Sequence, residues 1–290
     1  MIDRRAFVLS SAALAAACAG YPQERRRARA DFRGLQESLG PGARLGVAAL
    51  DTGNGRWLVH DEDSRYAMAS TFKAALAGAM LAEVEAGRLA LDQEIAFTRT
   101  DLVSHAPVVE AALDRGRLSV ERLCAAIVEV SDNAAANLLL ARIGGPEGLT
   151  RFFRRCGDQV TRLDRTETAL NSNLPGDPRD TTTPRAMVGL LRALLIDGPL
   201  APASRARLSG WMEGASTGRA RLRAGLPTNW RVGDKTGNGA NGAANDIGFG
   251  IPPSRAPILI ACYQSEGNAD AATRNAIHAS VARAVAAAFL

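Results

Sequence analysis

Segments of strand character stand near the two ends of this chain with a long helical block between them, so a sheet can form only if the ends return to each other. Leu45–Leu50 and Trp57–His60 are short apolar runs around Asp51-Thr52-Gly53-Asn54-Gly55, whose glycines and asparagine suit a tight reversal. Strand character returns at Trp230–Thr236, Asp246–Ile251 and Ile258–Tyr263, separated by a glycine-rich turn and by Pro252-Pro253. From Ser70 to about Ser209 the pattern is helical, with Ser119 and Thr183-Pro184 as start signals and Gly144-Gly145-Pro146 as a stop and restart. Gln23 to Leu39 reads as a surface helix halted by Gly40-Pro41-Gly42, and Ala269 to Phe289 as an alanine-rich closing helix. This order assigns residues 23–64 and 214–290 to one discontinuous α/β lobe and residues 65–213 to an inserted all-helical lobe. The junction of such lobes is where a cleft is expected. Residues 157–182 have little periodicity and many turn formers, and an irregular segment of that length in a compact protein is usually functional.

The 290 residues are 47% hydrophobic, enough for a sizeable core. A net charge of +5 permits anionic partners, but the basic residues are scattered. Arg25-Arg26-Arg27 therefore reads as a solvated helix face, and no nucleic-acid partner is expected. At the N-terminus Arg4-Arg5 precedes a small apolar run through Ala17 that is too short to span a bilayer. Residues 1–17 fit an export signal of the twin-arginine kind with Ala15-Ala16-Ala17 as a cleavage site, which predicts an exported, periplasmic protein. Cys18 follows directly and leaves a lipid-anchored mature end open. Cys124, Cys156 and Cys262 are odd in number without metal-ligand spacing, so they read as buried small hydrophobes. His60, His105 and His278 are dispersed, and nothing favours a Ser-His-Asp triad or a zinc site.

Two lysines stand against thirty-three arginines, and both lie in runs that look chemical: Ser70-Thr71-Phe72-Lys73 and Lys235-Thr236-Gly237. An amine that must share a proton near neutral pH cannot be replaced by a guanidinium. Ser70 and Lys73, three apart at the start of a strongly apolar helix, share one face of its first turn. Burial there lowers a lysine's pKa, and the free backbone N–H groups of the helix start favour negative charge. Ser131-Asp132-Asn133 has an ordinary reading as a helix cap, and Lys235-Thr236-Gly237 ends a strand where a small glycine lets a peptide-like substrate lie alongside.

The three motifs in this order, with Glu167-Thr168-Ala169-Leu170-Asn171 in the long loop and Asp177-Pro178-Arg179-Asp180 at its exit, resemble the class A serine β-lactamases, within the penicillin-recognising serine enzymes. The resemblance implies an α/β (α+β) fold in which a five-stranded antiparallel sheet is flanked by N- and C-terminal helices. It implies hydrolysis of the β-lactam amide through an acyl-enzyme on Ser70, with no cofactor and no metal. By the same resemblance Lys73 and Glu167 handle protons, Ser131 relays one to the leaving nitrogen, and Asn171 helps Glu167 hold the hydrolytic water. Asn133, Lys235, Thr236 and Gly237 bind substrate, and the backbone N–H groups of Ser70 and Asn238 form the oxyanion hole. Arg165 is expected to pin the loop through Asp180, the alternative being an ordinary surface ion pair. A monomer acting on small β-lactams is expected.

Departures refine the resemblance. Ala244-Asn245-Asp246 lacks an arginine that many members use for the substrate carboxylate, and Arg221 stands where others supply that charge. His105 replaces an aromatic gatekeeper at the cleft mouth. Ala69 and Gly239 stand where one subgroup has paired cysteines, and Ala77 stands where other members place the partner of a cysteine at the position of Cys124, so the resemblance implies that Cys124 is a free thiol. Rival functions are a penicillin-binding D,D-peptidase, against which Glu167 and Asn171 argue, and a non-hydrolysing β-lactam sensor, which needs a membrane span. A Ser-Lys esterase would have no need of Glu167 or Ser131.

Overall fold

The structure, a computed structural model, describes residues 27–29 and 31–290. The strands are β1 (Arg27–Arg29), β2 (Arg44–Asp51), β3 (Arg56–His60), β4 (Tyr66–Ala67), β5 (Glu94–Ala96), β6 (Arg117–Ser119), β7 (Thr181–Thr182), β8 (Arg231–Asn238), β9 (Ala244–Ile251) and β10 (Ile258–Ser265). The helices are α1 (Arg33–Glu37), α2 (Phe72–Glu85), α3 (Pro107–Ala111), α4 (Val120–Glu129), α5 (Asn133–Arg142), α6 (Gly145–Arg155), α7 (Pro184–Arg192), α8 (Pro202–Glu213), α9 (Leu222–Gly225) and α10 (Ala271–Phe289). The main sheet has the order β1-β3-β2-β10-β9-β8, in which β3 to β8 form a five-stranded antiparallel sheet and the short β1 adds parallel to β3. The expected α+β architecture is thus present, and the central pairing of β2 with β10 joins residues about two hundred positions apart in sequence, Asp51 opposite Ile258 and Arg44 opposite Ser265.

Strand alternation explains how one sheet serves two cores. On β10, Leu259, Ala261 and Tyr263 face the helical side, while Ile258, Ile260 and Cys262 face α10. On β2, Ala48 and Leu50 take the first side and Leu45, Val47 and Ala49 the second. Helix α2 is buried at every position from Phe72 to Leu81, because α4, α5, α6 and α8 pack around it. Its fit is close: a Cβ at Gly78 would meet Leu194 Cδ2 at 2.7 Å. Each fully buried leucine there contributes roughly 2 kcal/mol of transfer free energy.

The start and stop signals act as expected. Ser119 Oγ accepts from Arg122 N and Thr183 Oγ1 from Ala186 N, and left-handed Gly144 separates α5 from α6. Other expectations need correction. Of the surface helix predicted for Gln23–Leu39, the described residues are helical over Arg33–Glu37, and Arg27–Arg29 is a strand that takes the free edge of β3. The helical block also contains two small antiparallel ribbons, β4 with β7 and β5 with β6. Strands this short carry too few alternating residues to announce themselves. Residues 1–17, Cys18, Arg25 and Arg26 lie outside the described residues. Cys124, Cys156 and Cys262 are free, and Cys124 and Cys262 are fully buried as expected, whereas Cys156, at the end of α6, is only partly buried.

Candidate active site

Ser70 lies on the 3-10 turn Ala69–Thr71 that leads into α2, two residues before the helix in which it was expected. The sheet holds that turn from behind. Asn245 Nδ2 on β9 donates to Ala67 O (2.9 Å) and Met68 O (3.1 Å), and Thr71 Oγ1 lies 3.1 Å from Tyr263 OH on β10. A Cβ on Gly237 would come within 2.7 Å of Met68 O and 3.0 Å of Ser70 N, so only glycine lets β8 lie against the nucleophile turn. Ala69, His105 and Ser131 all have positive φ, at 44°, 60° and 62°. Three non-glycine residues in the left-handed region around one cleft mark stored backbone strain.

One turn beyond Ser70, Lys73 is fully buried, and its Nζ lies 2.9 Å from Glu167 Oε1 with both side chains inaccessible to solvent. The amine also donates to Ser131 O (2.9 Å), Ser131 Oγ (3.4 Å) and Asn133 Oδ1. Burial lowers the Lys73 pKa, and the neighbouring carboxylates of Glu167 and Asp132 oppose that shift. The Ser70 hydroxyl faces Glu167 Oε1 at 3.3 Å, so among the described residues its partner is the carboxylate rather than the expected amine.

Glu167 is held at every point. Its Oε2 accepts from Asn171 Nδ2 at 2.7 Å, and Asn137 clasps its backbone on both sides, Glu167 N donating to Asn137 Oδ1 and Asn137 Nδ2 to Glu167 O, each at 2.9 Å. Asn137 escaped the sequence reading, although it stands four residues after Asn133 and so on the same face of α5. Arg165 Nε meets Asp180 Oδ2 at 2.6 Å, and Asp180 Oδ1 accepts from Asp164 N and Arg165 N. Asp180 is fully buried, so this is an internal anchor of the loop, not a surface ion pair.

The cap reading of Ser131-Asp132-Asn133 holds. Asp132 is the cap, with Oδ1 accepting from Ala135 N (2.9 Å) and Oδ2 from Val108 N and Val109 N of α3. That frees its neighbours for the cleft. Ser131 Oγ lies between Lys73 and Lys235, whose Nζ donates to it at 3.0 Å and to Thr236 O at 2.8 Å. Burial, reinforced by the charge of Lys73, brings the Lys235 pKa down to about 7. Asn133 Nδ2 donates to Ser104 O, and His105 Nε2 donates to Val130 O at 2.8 Å.

A cleft of about 280 Å³ is lined by Ser70, His105, Ser131, Asn133, Asn171, Thr236, Gly237 and Asn238, and also by Thr217, which bonds Thr236 Oγ1 at 2.6 Å and was not anticipated. Arg221 does not line this cleft, contrary to expectation. Its guanidinium is spent behind β8, on Asn275 Oδ1 (2.8 Å), Asn245 O (2.7 Å) and Asn238 Oδ1. Its neighbour Arg223 pairs with the buried Asp234 at 2.6 Å.

The model of the β-lactamase enzyme family matches residues 29–289. The chain belongs to the class A β-lactamases. It is 46% identical over 256 residues to β-lactamase AST-1 of Nocardia asteroides, spanning 88% of this chain and 82% of that one. With β-lactamase CTX-M-25 of Escherichia coli the identity is 39% over 284 residues and 97% of each chain. Its fold overlays the last common ancestor of Gram-negative bacteria class A β-lactamase with a TM-score of 0.87 and 52% identity, covering 89% of this chain and 98% of the other. Membership makes the protein a hydrolase of β-lactams and an antibiotic-resistance enzyme.

The placement of Arg221 behind the cleft makes it a positioning residue for the end of β8. Arg221→Lys keeps the charge and loses the planar fork, so it is expected to lower kcat by up to roughly 100-fold for substrates with and without a free carboxylate alike. A rise in KM limited to carboxylate-bearing substrates would instead show that Arg221 reads that group.

Proposed function

We propose that Ser70 attacks the β-lactam carbonyl and that the acyl-enzyme is resolved by water under the control of Glu167. The supporting observation is one buried carboxylate that faces the Ser70 hydroxyl, the Lys73 ammonium and the Asn171 amide at once. As Ser70 Oγ bonds to carbon, its proton leaves towards Glu167 Oε1, the acceptor it already faces. The oxyanion that develops is received by the N–H groups of Ser70 and Asn238, where β8 lies against the nucleophile turn, each donor contributing on the order of 3 kcal/mol. The departing nitrogen takes a proton from Ser131 Oγ, Lys73 resupplies Ser131, and Lys73 regains its proton from Glu167, so the carboxylate is ionised again before deacylation. Deacylation then needs a water beside Glu167. Asn171 turns its Nδ2 to that carboxylate, while its Oδ1 has no protein partner among the described residues and can take a hydrogen from the water.

Lys235 and Thr236 bind the substrate carboxylate, Asn133 the side-chain amide, and His105 shapes the cleft mouth, all three sites lying on the cleft or directly behind its wall. A D,D-peptidase or a sensor that stops at the acyl-enzyme has no use for a carboxylate and amide so placed. In Glu167→Ala, an adduct on Ser70 is expected to accumulate in intact-mass spectra with benzylpenicillin, with turnover reduced at least roughly 100-fold. A native protein that itself halts at a lasting adduct would overturn the hydrolytic reading.

The lowered Lys235 pKa gives a pH dependence with a definite sign. Its ammonium is present below about pH 7 and is lost above it in the free enzyme. For carboxylate-bearing substrates kcat/KM should therefore fall as pH rises through that value, whereas Lys235→Arg keeps its charge and should hold its own kcat/KM to higher pH. Identical alkaline limbs in both proteins would refute the assignment.

The paired Arg4-Arg5 and the apolar run to Ala17 further support export to the periplasm, with Cys18 available for a lipid anchor. Fractionation of expressing cells should recover activity outside the inner membrane and lose it from there when Arg4 and Arg5 are both changed to Lys. Activity confined to the cytoplasm of native cells would refute export.

A further inference from the structure

A second cavity, of about 450 Å³, lies away from the cleft, on the seam between the loop that carries Glu167 and the sheet lobe. Arg165, Asp177 and Arg179 line it from the loop, and Arg44, Arg65 and Glu266 from the body. Four guanidiniums and two carboxylates line it, and with Arg165 held by Asp180 the surplus is one positive charge, that of Arg65. The existing pairs do not cross the seam: Arg179 holds Asp177 at 2.8 Å within the loop, and Arg44 reaches Glu266 at 3.4 Å within the body. Arg65 has no carboxylate partner among the described residues and donates through Nη1 to Val160 O (3.1 Å) and Thr181 Oγ1 (3.0 Å). Its remaining N–H groups, and those of Arg44 and Arg165 not used in these contacts, are left for an acceptor.

We propose that this seam binds a phosphate-bearing anion, which ties the loop to the sheet lobe. The surplus charge favours an anion, and planar guanidinium forks suit phosphate oxygens in paired hydrogen bonds. The cavity has room for more than a single tetrahedral anion, so a phosphate ester or a pyrophosphate group fits better than a lone inorganic phosphate. An anion shared by Arg65 of the body and Arg179 of the loop replaces facing like charges with a bridge. Arg165, only two residues before Glu167, lines the same cavity, so the bridge restrains the segment that holds the carboxylate in place. The binding itself is independent of how the cleft acts, and its test uses no β-lactam.

The test is calorimetric titration of the whole protein with inorganic phosphate and with pyrophosphate, in chloride buffer at constant ionic strength. Sedimentation with phosphatidylcholine vesicles, with and without phosphatidic acid, runs beside it. Saturable single-site binding is expected, tighter for pyrophosphate and weakened about tenfold or more in Arg179→Gln, a difference of about 1.4 kcal/mol. Arg179 is exposed and pairs with Asp177 within its own loop, so this variant should fold and its thermal unfolding can confirm it. Arg65→Gln provides a second variant from the opposite wall. Capture by phosphatidic acid vesicles alone, lost in Arg179→Gln, would support the site and identify its ligand as a lipid headgroup. Absence of saturable binding to the free anions and to the vesicles, or binding undiminished in Arg179→Gln, would overturn the proposal.

Discussion

A lysine and a glutamate, both sealed from solvent and 2.9 Å apart, are the constraint around which this molecule is arranged. Two opposite charges taken out of water lose hydration worth several kcal/mol each, and their attraction offsets this only if their remaining polar groups are also satisfied. The neighbours perform that task. Asn133 and Ser131 take the amine's hydrogens, and Asn171 and Asn137 hold the carboxylate side chain and its backbone. Removing either charge leaves the other buried and unmatched, a loss of about 3–5 kcal/mol by analogy with other buried pairs. The same dryness that makes the pair costly depresses the lysine's pKa and strengthens every electrostatic contact that chemistry in the cleft would use.

Such an arrangement needs rigid supports from separate parts of the chain. The nucleophile turn is gripped by β9 and β10, Ser131 is presented by the cap of α5, and Glu167 comes from a loop tethered at Asp180. Positive φ at Ala69, His105 and Ser131 costs on the order of 1–3 kcal/mol at each position, and the cores on the two faces of the sheet hold them there. Strain at the cleft and dense packing elsewhere are two sides of one design, in which stability made in the body is used at the site.

Much of this was legible in the sequence because several signals coincide with strong local physics. The alternating apolar runs located the main strands, the caps at Ser119 and Thr183 located helix starts, and the scarcity of lysine singled out Lys73 and Lys235. The less legible parts depend on where a side chain turns after folding. Arg221 carries the charge expected of it, but its backbone position sends the guanidinium behind β8 towards Asn238 and Asn275. Asn137 and Thr217 carry no motif, and their importance arises only when α5 meets the loop and when Thr236 comes beside Thr217. Strand β1 forms at the free edge of β3, an event that depends on pairing and not on the residues Arg27–Arg29 themselves.

The position of β8 at the end of the sheet has one more consequence. A strand at the end of a sheet leaves one side unpaired, which invites pairing with any other extended chain, including a second copy of the protein, although α8 and the nucleophile turn pack against much of β8. On this edge the strand carries Asp234 and Lys235 with their charged groups turned inward and buried, a glycine at 237, and an end at Asn238 that gives way to a turn. Inward charge and an early break are features that deter strand-to-strand association. The residues at the cleft wall therefore also protect the molecule from aggregation, and a change made there to widen substrate access would act on solubility as well.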